Sequence, residues 1–199
     1  MLRNRKVIIS IIIAHLLLFS SFFLLSDLFF WQAFTLSLFL LILYSYRSAS
    51  WKKVTYNHVL IGVGSGVLLY LIFYIGKQIM LMLFPDMIAS LQSLYNLISP
   101  KETWHYISLI LIIIPGEELF WRGFVQGKMD KTQSTSSILL ATVLYASAHI
   151  YAGTFLLIVA ALLAGFTWGY LYNRTRTMTV PILSHLVFDL MLLVFFPLL

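Results

Sequence analysis

The sequence has no cysteine, five prolines and few charges: only 10% of its 199 residues are Asp, Glu, Lys or Arg. Without cysteine there is no disulfide framework, no thiol nucleophile and no cysteine-ligated zinc, so any metal must rest on His and carboxylate ligands. With so few charges and 61% hydrophobic residues, the chain lacks the polar surface of a water-soluble fold. Its solvent is lipid. The net charge of +6 does not point to nucleic acid, because the basic residues sit in short clusters beside apolar runs, where membrane topology accounts for them.

What is present is a series of apolar runs at about 7–25, 28–45, 58–77, 104–126, 136–151, 154–172 and 178–198. Runs of roughly 20 apolar residues cross the ~30 Å hydrocarbon layer as helices, since lipid leaves no partner for unpaired backbone groups. The expected fold is all-α, a polytopic membrane helix bundle of about seven transmembrane helices. Met1-Leu-Arg-Asn-Arg-Lys6 followed by Val7 to Leu25 resembles a signal peptide, but its apolar stretch is too long and no small-residue cleavage site follows. We read a retained first span.

Arg3, Arg5, Lys6, Arg47, Lys52, Lys53, Lys128, Lys131, Arg174 and Arg176 fall on one side of these spans, against Lys77 and Lys101 on the other. The N-terminus is therefore expected in the cytoplasm. On that side Asn173-Arg174-Thr175 needs no glycan reading. Residues 78–98 repeat apolar side chains at a helical spacing broken by Pro85, with Asp86, Ser90, Gln92 and Asn96 between them; an interfacial amphipathic helix is expected. Gly165 and Gly169, with Ala160 and Ala161, suit close helix packing rather than ligand binding.

The ionisable residues inside the spans are unevenly placed. The first three spans hold only His15 at depth, whereas the fourth, fifth and seventh hold Glu117, Glu118, Arg122, His149, His185 and Asp189. Charges at a helix centre cost ~2.5–3.5 kcal/mol each on insertion scales, so these groups must face one another or a wet cavity. At ~1.5 Å per residue, Glu117 lies about 16 Å and His185 about 13 Å from the cytoplasmic ends. His149 lies about 17 Å deep if Thr132-Gln-Ser-Thr-Ser-Ser137 is loop and cap and the helix starts near Ser137.

Glu118 and Arg122 are one helical turn apart and can pair, leaving Glu117, whose i+4 neighbour is the apolar Trp121, available as a base. Tyr145 and His149, and likewise His185 and Asp189, repeat that spacing. Pro115-Gly116 is expected to loosen the backbone before the pair. His15 reads as a hydrogen-bonded core residue, His58 and His105 as interfacial, and Ser147 and Ser184 as packing serines.

Glu117-Glu118-Leu-Phe-Trp-Arg122, Tyr145-Ala-Ser-Ala-His149 and His185-Leu-Val-Phe-Asp189, in this order on successive spans, resemble the three motifs of the CAAX protease and bacteriocin-processing (CPBP, or Abi) family of intramembrane proteases. The pattern usually has Phe where Tyr145 stands and Asn where Asp189 stands. The likeness covers about residues 103–193, which divides the chain into N-terminal spans with an interfacial helix (1–102) and a catalytic core (103–199). No His-Glu-x-x-His, Gly-x-Ser-Gly or paired aspartyl motif of other membrane proteases occurs.

The resemblance implies peptide-bond hydrolysis in a hydrophobic or membrane-anchored peptide at a bacterial plasma membrane, with lipid as partner and no nucleic acid. Laid on these residues, Glu117 activates a water shared with His149, His185 stabilises the oxyanion and Asp189 orients its ring. Glu118, Arg122 and Tyr145 support the site. A divalent metal such as zinc on His149, His185 and Glu117 is the second form of this chemistry. The alternative function is a non-catalytic membrane protein of bacteriocin self-immunity or sensor-kinase regulation; a proton-coupled transporter fits poorly, since ionisable groups crowd one half.

Overall fold

The computed structural model describes residues 5–129 and 135–199, except the side chains of residues 26–28. Arg3, Lys131 and residues 132–134 of the expected loop lie outside the described residues. The described chain folds into α1 (Arg5–Leu24), α2 (Phe29–Ser48), α3 (Tyr56–Leu83), α4 (Met87–Ile98), α5 (103–129), α6 (Thr135–Ala152), α7 (Phe155–Thr175) and α8 (Thr179–Phe195). Five of these, α1, α2, α3, α6 and α7, are long and apolar enough to cross a membrane, and α8 is a shorter apolar helix. α5 carries the buried charges and is roughly 40 Å long at ~1.5 Å per residue. The chain is a polytopic membrane helix bundle.

α5 is the central strut. It packs against α2, α6, α7 and α8, and every residue from Leu119 to Gln126 is buried. It is also not a regular α-helix. Ile114 N–H bonds the Leu109 carbonyl and Gly127 N–H the Arg122 carbonyl, five residues back in each case. These π turns flank the Ile114–Glu118 segment; such turns collect at functional sites because each rotates the facing of the residues after it. Pro115 has no amide to donate, which a widened turn tolerates. Gly116 does something the sequence did not suggest: a Cβ there would sit 3.1 Å from the Leu38 carbonyl. The Pro-Gly pair thus seats α5 on α2 rather than merely loosening it.

α3 packs along α8 through glycine. A Cβ on Gly66 would lie 2.6 Å from the Ser184 carbonyl and 2.8 Å from Val187 Cβ, whereas one on Gly64 meets nothing within 4 Å. Gly66→Ala is therefore expected to destabilise the bundle by about 1–3 kcal/mol, the usual cost of overpacking against fixed atoms. Gly64→Ala should leave stability unchanged or slightly raised. Thermal unfolding in detergent distinguishes the two, and equal melting temperatures would contradict the packing.

The expected interfacial helix over 78–98 is divided. α3 continues to Leu83, and α4 begins only at Met87, because Pro85 cannot continue the helix. α4 is not simply laid on the bilayer. Leu91, Leu94 and Tyr95 are buried, and the Tyr95 hydroxyl donates to the Leu192 carbonyl (2.9 Å) and accepts from Leu198 N–H (3.0 Å). Burial pushes that phenol up to about 12. α6 is already helical at Thr135, the first residue described after Met129, rather than beginning near Ser137.

At one end of the bundle the 46–55 connector clasps the α7–α8 turn. Met178 N–H bonds the Ser50 carbonyl (2.9 Å) and Lys52 Nζ the Thr175 carbonyl (3.0 Å). This gathers Arg47, Lys52, Lys53, Arg174 and Arg176 together, as the charge pattern implied. The remaining histidines take structural places. His58 caps α3 with Thr55 and His105 caps α5 with Glu102. His15 meets the Tyr151 hydroxyl (3.1 Å) and Ser147 Oγ (3.3 Å), and Ser184 accepts from Ser65 (3.0 Å).

Candidate active site

Three helices deliver these six groups to one place, five of them buried and Asp189 partly so. On α5, Glu118 lies 3.3 Å from Arg122 Nη1, the pair expected from their i, i+4 spacing. Glu118 is fully buried and Arg122 2% exposed, so each requires the other. Arg122 is held further by its Nη2 donating to the Gly165 carbonyl (3.2 Å) and by stacking its guanidinium over Tyr145 (4.4 Å) and Trp168 (5.3 Å). Gly165 permits this. A Cβ there would be 2.9 Å from Tyr145 Cδ1 and 3.3 Å from Arg122 Nη2.

His149 stands just past the last α-helical residue of α6, at φ −93° and ψ −3°, a sparsely populated region where active-site residues recur. Its own amide bonds the Ala146 carbonyl, so the Tyr145 carbonyl loses its usual i+4 partner. The ring supplies one: Nδ1 lies 2.8 Å from that carbonyl. A carbonyl only accepts, so Nδ1 carries the proton and Nε2 is turned to Glu117 Oε1, 3.5 Å away. A helix end thus fixes tautomer and aim together.

Glu117 has both oxygens engaged. Oε2 accepts the Tyr145 hydroxyl (2.7 Å) and faces His185 Nε2 at 4.0 Å. The hydroxyl that distinguishes Tyr145 from the usual Phe therefore orients the carboxylate. Trp121, expected as the apolar flank of Glu117, packs edge-on against the Tyr145 ring.

His185 differs from expectation in one respect. Its Nδ1 lies 2.9 Å from Glu118 Oε1, while Asp189 Oδ2 approaches Nε2 at 3.4 Å. Glu118, not Asp189, holds the ring from behind, and Asp189 shares the side that faces the cavity. The reason is reach: a residue one turn away can meet either ring nitrogen, and α5 takes Nδ1. Trp168, not singled out from sequence, stacks face to face on His185 at 3.6 Å. An indole in an apolar span reads as a lipid anchor, and only its place between Gly165 and Gly169 hinted at a packed interior.

Glu117, His149, His185 and Asp189 all line one cavity of about 120 Å³. Phe22, Phe30, Trp31 and Phe34 line it from α1 and α2, Ala160, Ala161 and Ala164 from α7, and Phe188 from α8. The alanines expected only to pack helices thus border open space.

The donor set of two imidazoles and a carboxylate has the chemistry of a zinc site, with each ring tethered at Nδ1 as a ligand would be. Among the described residues, however, no three His, Asp or Glu side chains converge on a single point.

Residues 99–191 match the family model described as Type II CAAX prenyl endopeptidase Rce1-like. No curated protein and no solved structure matches the chain. The matched segment, just under half of the chain, contains the Glu117-Glu118, His149 and His185 motifs on α5, α6 and α8, and through it the chain is similar to the CAAX-type intramembrane proteases.

Proposed function

We propose that this protease hydrolyses a peptide bond in a hydrophobic or membrane-anchored peptide with a water activated by Glu117 and His149. The reading is carried by one observation: the Tyr145 hydroxyl and the Nε2 atoms of His149 and His185 converge on the two oxygens of Glu117 in the lining of an aromatic cavity. With Nδ1 committed to a carbonyl, neutral His149 offers only a lone pair at Nε2. Facing a carboxylate oxygen at 3.5 Å, it needs a shared hydrogen, and a water donating to both supplies it.

Glu117 takes one proton of that water as its oxygen attacks the scissile carbonyl, and the resulting carboxylic acid returns the proton to the leaving amine. His185 acts as imidazolium. Nδ1–H donates to Glu118, and Nε2–H is left for the developing oxyanion. Three carboxylates share this site with one guanidinium, so the imidazolium leaves a single net negative charge, which sits on the base. Asp189 holds Nε2–H until the oxyanion competes for it. The cluster of Arg47, Lys52, Lys53, Arg174 and Arg176 supports a cytoplasmic face for that end of the bundle and residence in a bacterial plasma membrane.

The test is cleavage of hydrophobic peptides by the protein reconstituted in liposomes. Wild type is expected to cleave with or without a chelator, and His149→Ala to lose about 10²-fold in kcat, the scale of one acid–base or polar contribution. Undiminished turnover in His149→Ala overturns the mechanism. Loss on chelation, restored by zinc, would show that the same three donors close on an ion.

A further inference from the structure

We infer that His15, on α1, is a positioning residue for His149: it binds the chain two residues before and two residues after that histidine, and so holds the helix end from which the ring is aimed at Glu117. This rests on the proposed peptide hydrolysis and goes further by assigning a role to a side chain outside the matched segment. Three observations carry it.

The first is the bond pattern. His15 Nε2 lies 3.3 Å from Ser147 Oγ, and its Nδ1 lies 3.1 Å from the Tyr151 hydroxyl. Counting hydrogens gives these contacts a direction. The single hydroxyl hydrogen of Ser147 goes to the Leu144 carbonyl (2.8 Å), so Ser147 accepts from His15 Nε2–H, and the lone pair left on Nδ1 accepts the Tyr151 hydroxyl. One neutral imidazole therefore serves both partners. The second observation is what is held. α6 tightens to 3₁₀ pitch at His149: its N–H bonds the Ala146 carbonyl (3.1 Å), Ala152 N–H bonds the His149 carbonyl (3.2 Å), and the turn closes on Gly153 in the left-handed region at φ +69°. Such turns have poorer hydrogen-bond geometry, and helix ends fray, so a ring placed there gains from support outside its own helix. The third is that this support comes from one face of α1. His15, Phe19 and Phe22 stand at i, i+4 and i+7. Phe19 packs edge-on against Tyr151, with ring centres 5.3 Å apart, and Phe22 lies against the His149 ring at 5.8 Å.

The experiment pairs ring ¹⁵N NMR of His149 with cleavage kinetics of the protein in liposomes, the His149 signals being identified by their loss in His149→Ala. Wild type should show one tautomer, protonated at Nδ1, as the bond to the Tyr145 carbonyl requires. His15→Leu removes both bonds at similar volume; it should average the two tautomers and lower kcat about tenfold with KM within about twofold, since small misplacements of a reacting group act on kcat. His15→Gln keeps one donor and one acceptor and should restore the single tautomer and most of the rate. Ser147→Ala combined with Tyr151→Phe should reproduce His15→Leu, and adding His15→Leu to that pair should change nothing further. If His15→Leu does not fold, the Ser147–Tyr151 pair decides. A His149 signal unmoved in both overturns the assignment whatever the rate does, and so does an averaged signal with an undiminished kcat while cleavage still depends on Glu117 and His149. If Glu117→Gln and His149→Ala leave cleavage intact, the hydrolytic reading fails instead, and the NMR signal alone decides whether His15 holds His149.

Discussion

Glu117→Gln is expected to lower kcat by about 10³-fold, roughly 4 kcal/mol of transition-state stabilisation, with little change in KM or thermal stability. The amide is nearly isosteric with the carboxylate. Its oxygen can still accept the Tyr145 hydroxyl, and its nitrogen can donate to the lone pair of His149 Nε2, so the contacts to Tyr145 and His149 survive in altered form. What disappears is the capacity to take a proton. Loss of kcat with an unchanged melting temperature and KM isolates that capacity, because a residue that only glued helices together would lower stability first. A kcat within tenfold of wild type would remove Glu117 from the role of base.

The second large effect is on folding. Arg122→Met should destabilise the bundle by about 3–5 kcal/mol, because it leaves Glu118 buried without its cationic partner. Glu118 is 0% exposed, and its Oε1 would keep only the His185 contact. The substitution also removes the bond to the Gly165 carbonyl and the stacking on Tyr145 and Trp168. Combining it with Glu118→Gln should cost less than the sum of the single changes, since neutralising the carboxylate removes the uncompensated charge. Equilibrium unfolding in detergent measures the cycle. Strict additivity would mean that the two groups do not depend on each other.

These effects trace to residues that were legible before the fold was known, and for a physical reason. Lipid tolerates neither unpaired backbone nor unpaired charge, so the apolar runs had to be helices and Glu117, Glu118, Arg122, His149, His185 and Asp189 had to meet. Spacing on one helix also read correctly for Glu118 and Arg122. It read less well for His185, where Asp189 is one turn away and Glu118 is 67 residues away in the chain. Local periodicity says that a neighbour can reach a ring, not which nitrogen a distant helix will claim.

The cavity wall was not legible at all. Phe22 and Phe23 are adjacent and chemically identical, yet Phe22 is 5% exposed and lines the cavity while Phe23 is 64% exposed. In a helix that is apolar on every side, no amphipathic signal separates the lipid face from the interior. The alanines of α7 carry a related ambiguity: a small side chain looks the same in sequence whether it lets a helix approach, as buried Ala161 does, or borders a void. The split of 78–98 at Pro85 turned on where a helix stops rather than whether one exists, the least secure part of any boundary.

The origin of the aromatic wall has a consequence for how such a protein can change. Glu117, His149 and His185 all lie within residues 99–191, the segment that matches the family. Phe22, Phe30, Trp31 and Phe34 lie on the first two helices, outside it. The aromatic part of the wall and the buried polar groups therefore come from separate stretches of chain that meet in the folded bundle. A graft of the first two helices from a relative that keeps His15 could redirect which peptides are cut while leaving the cutting apparatus as it is.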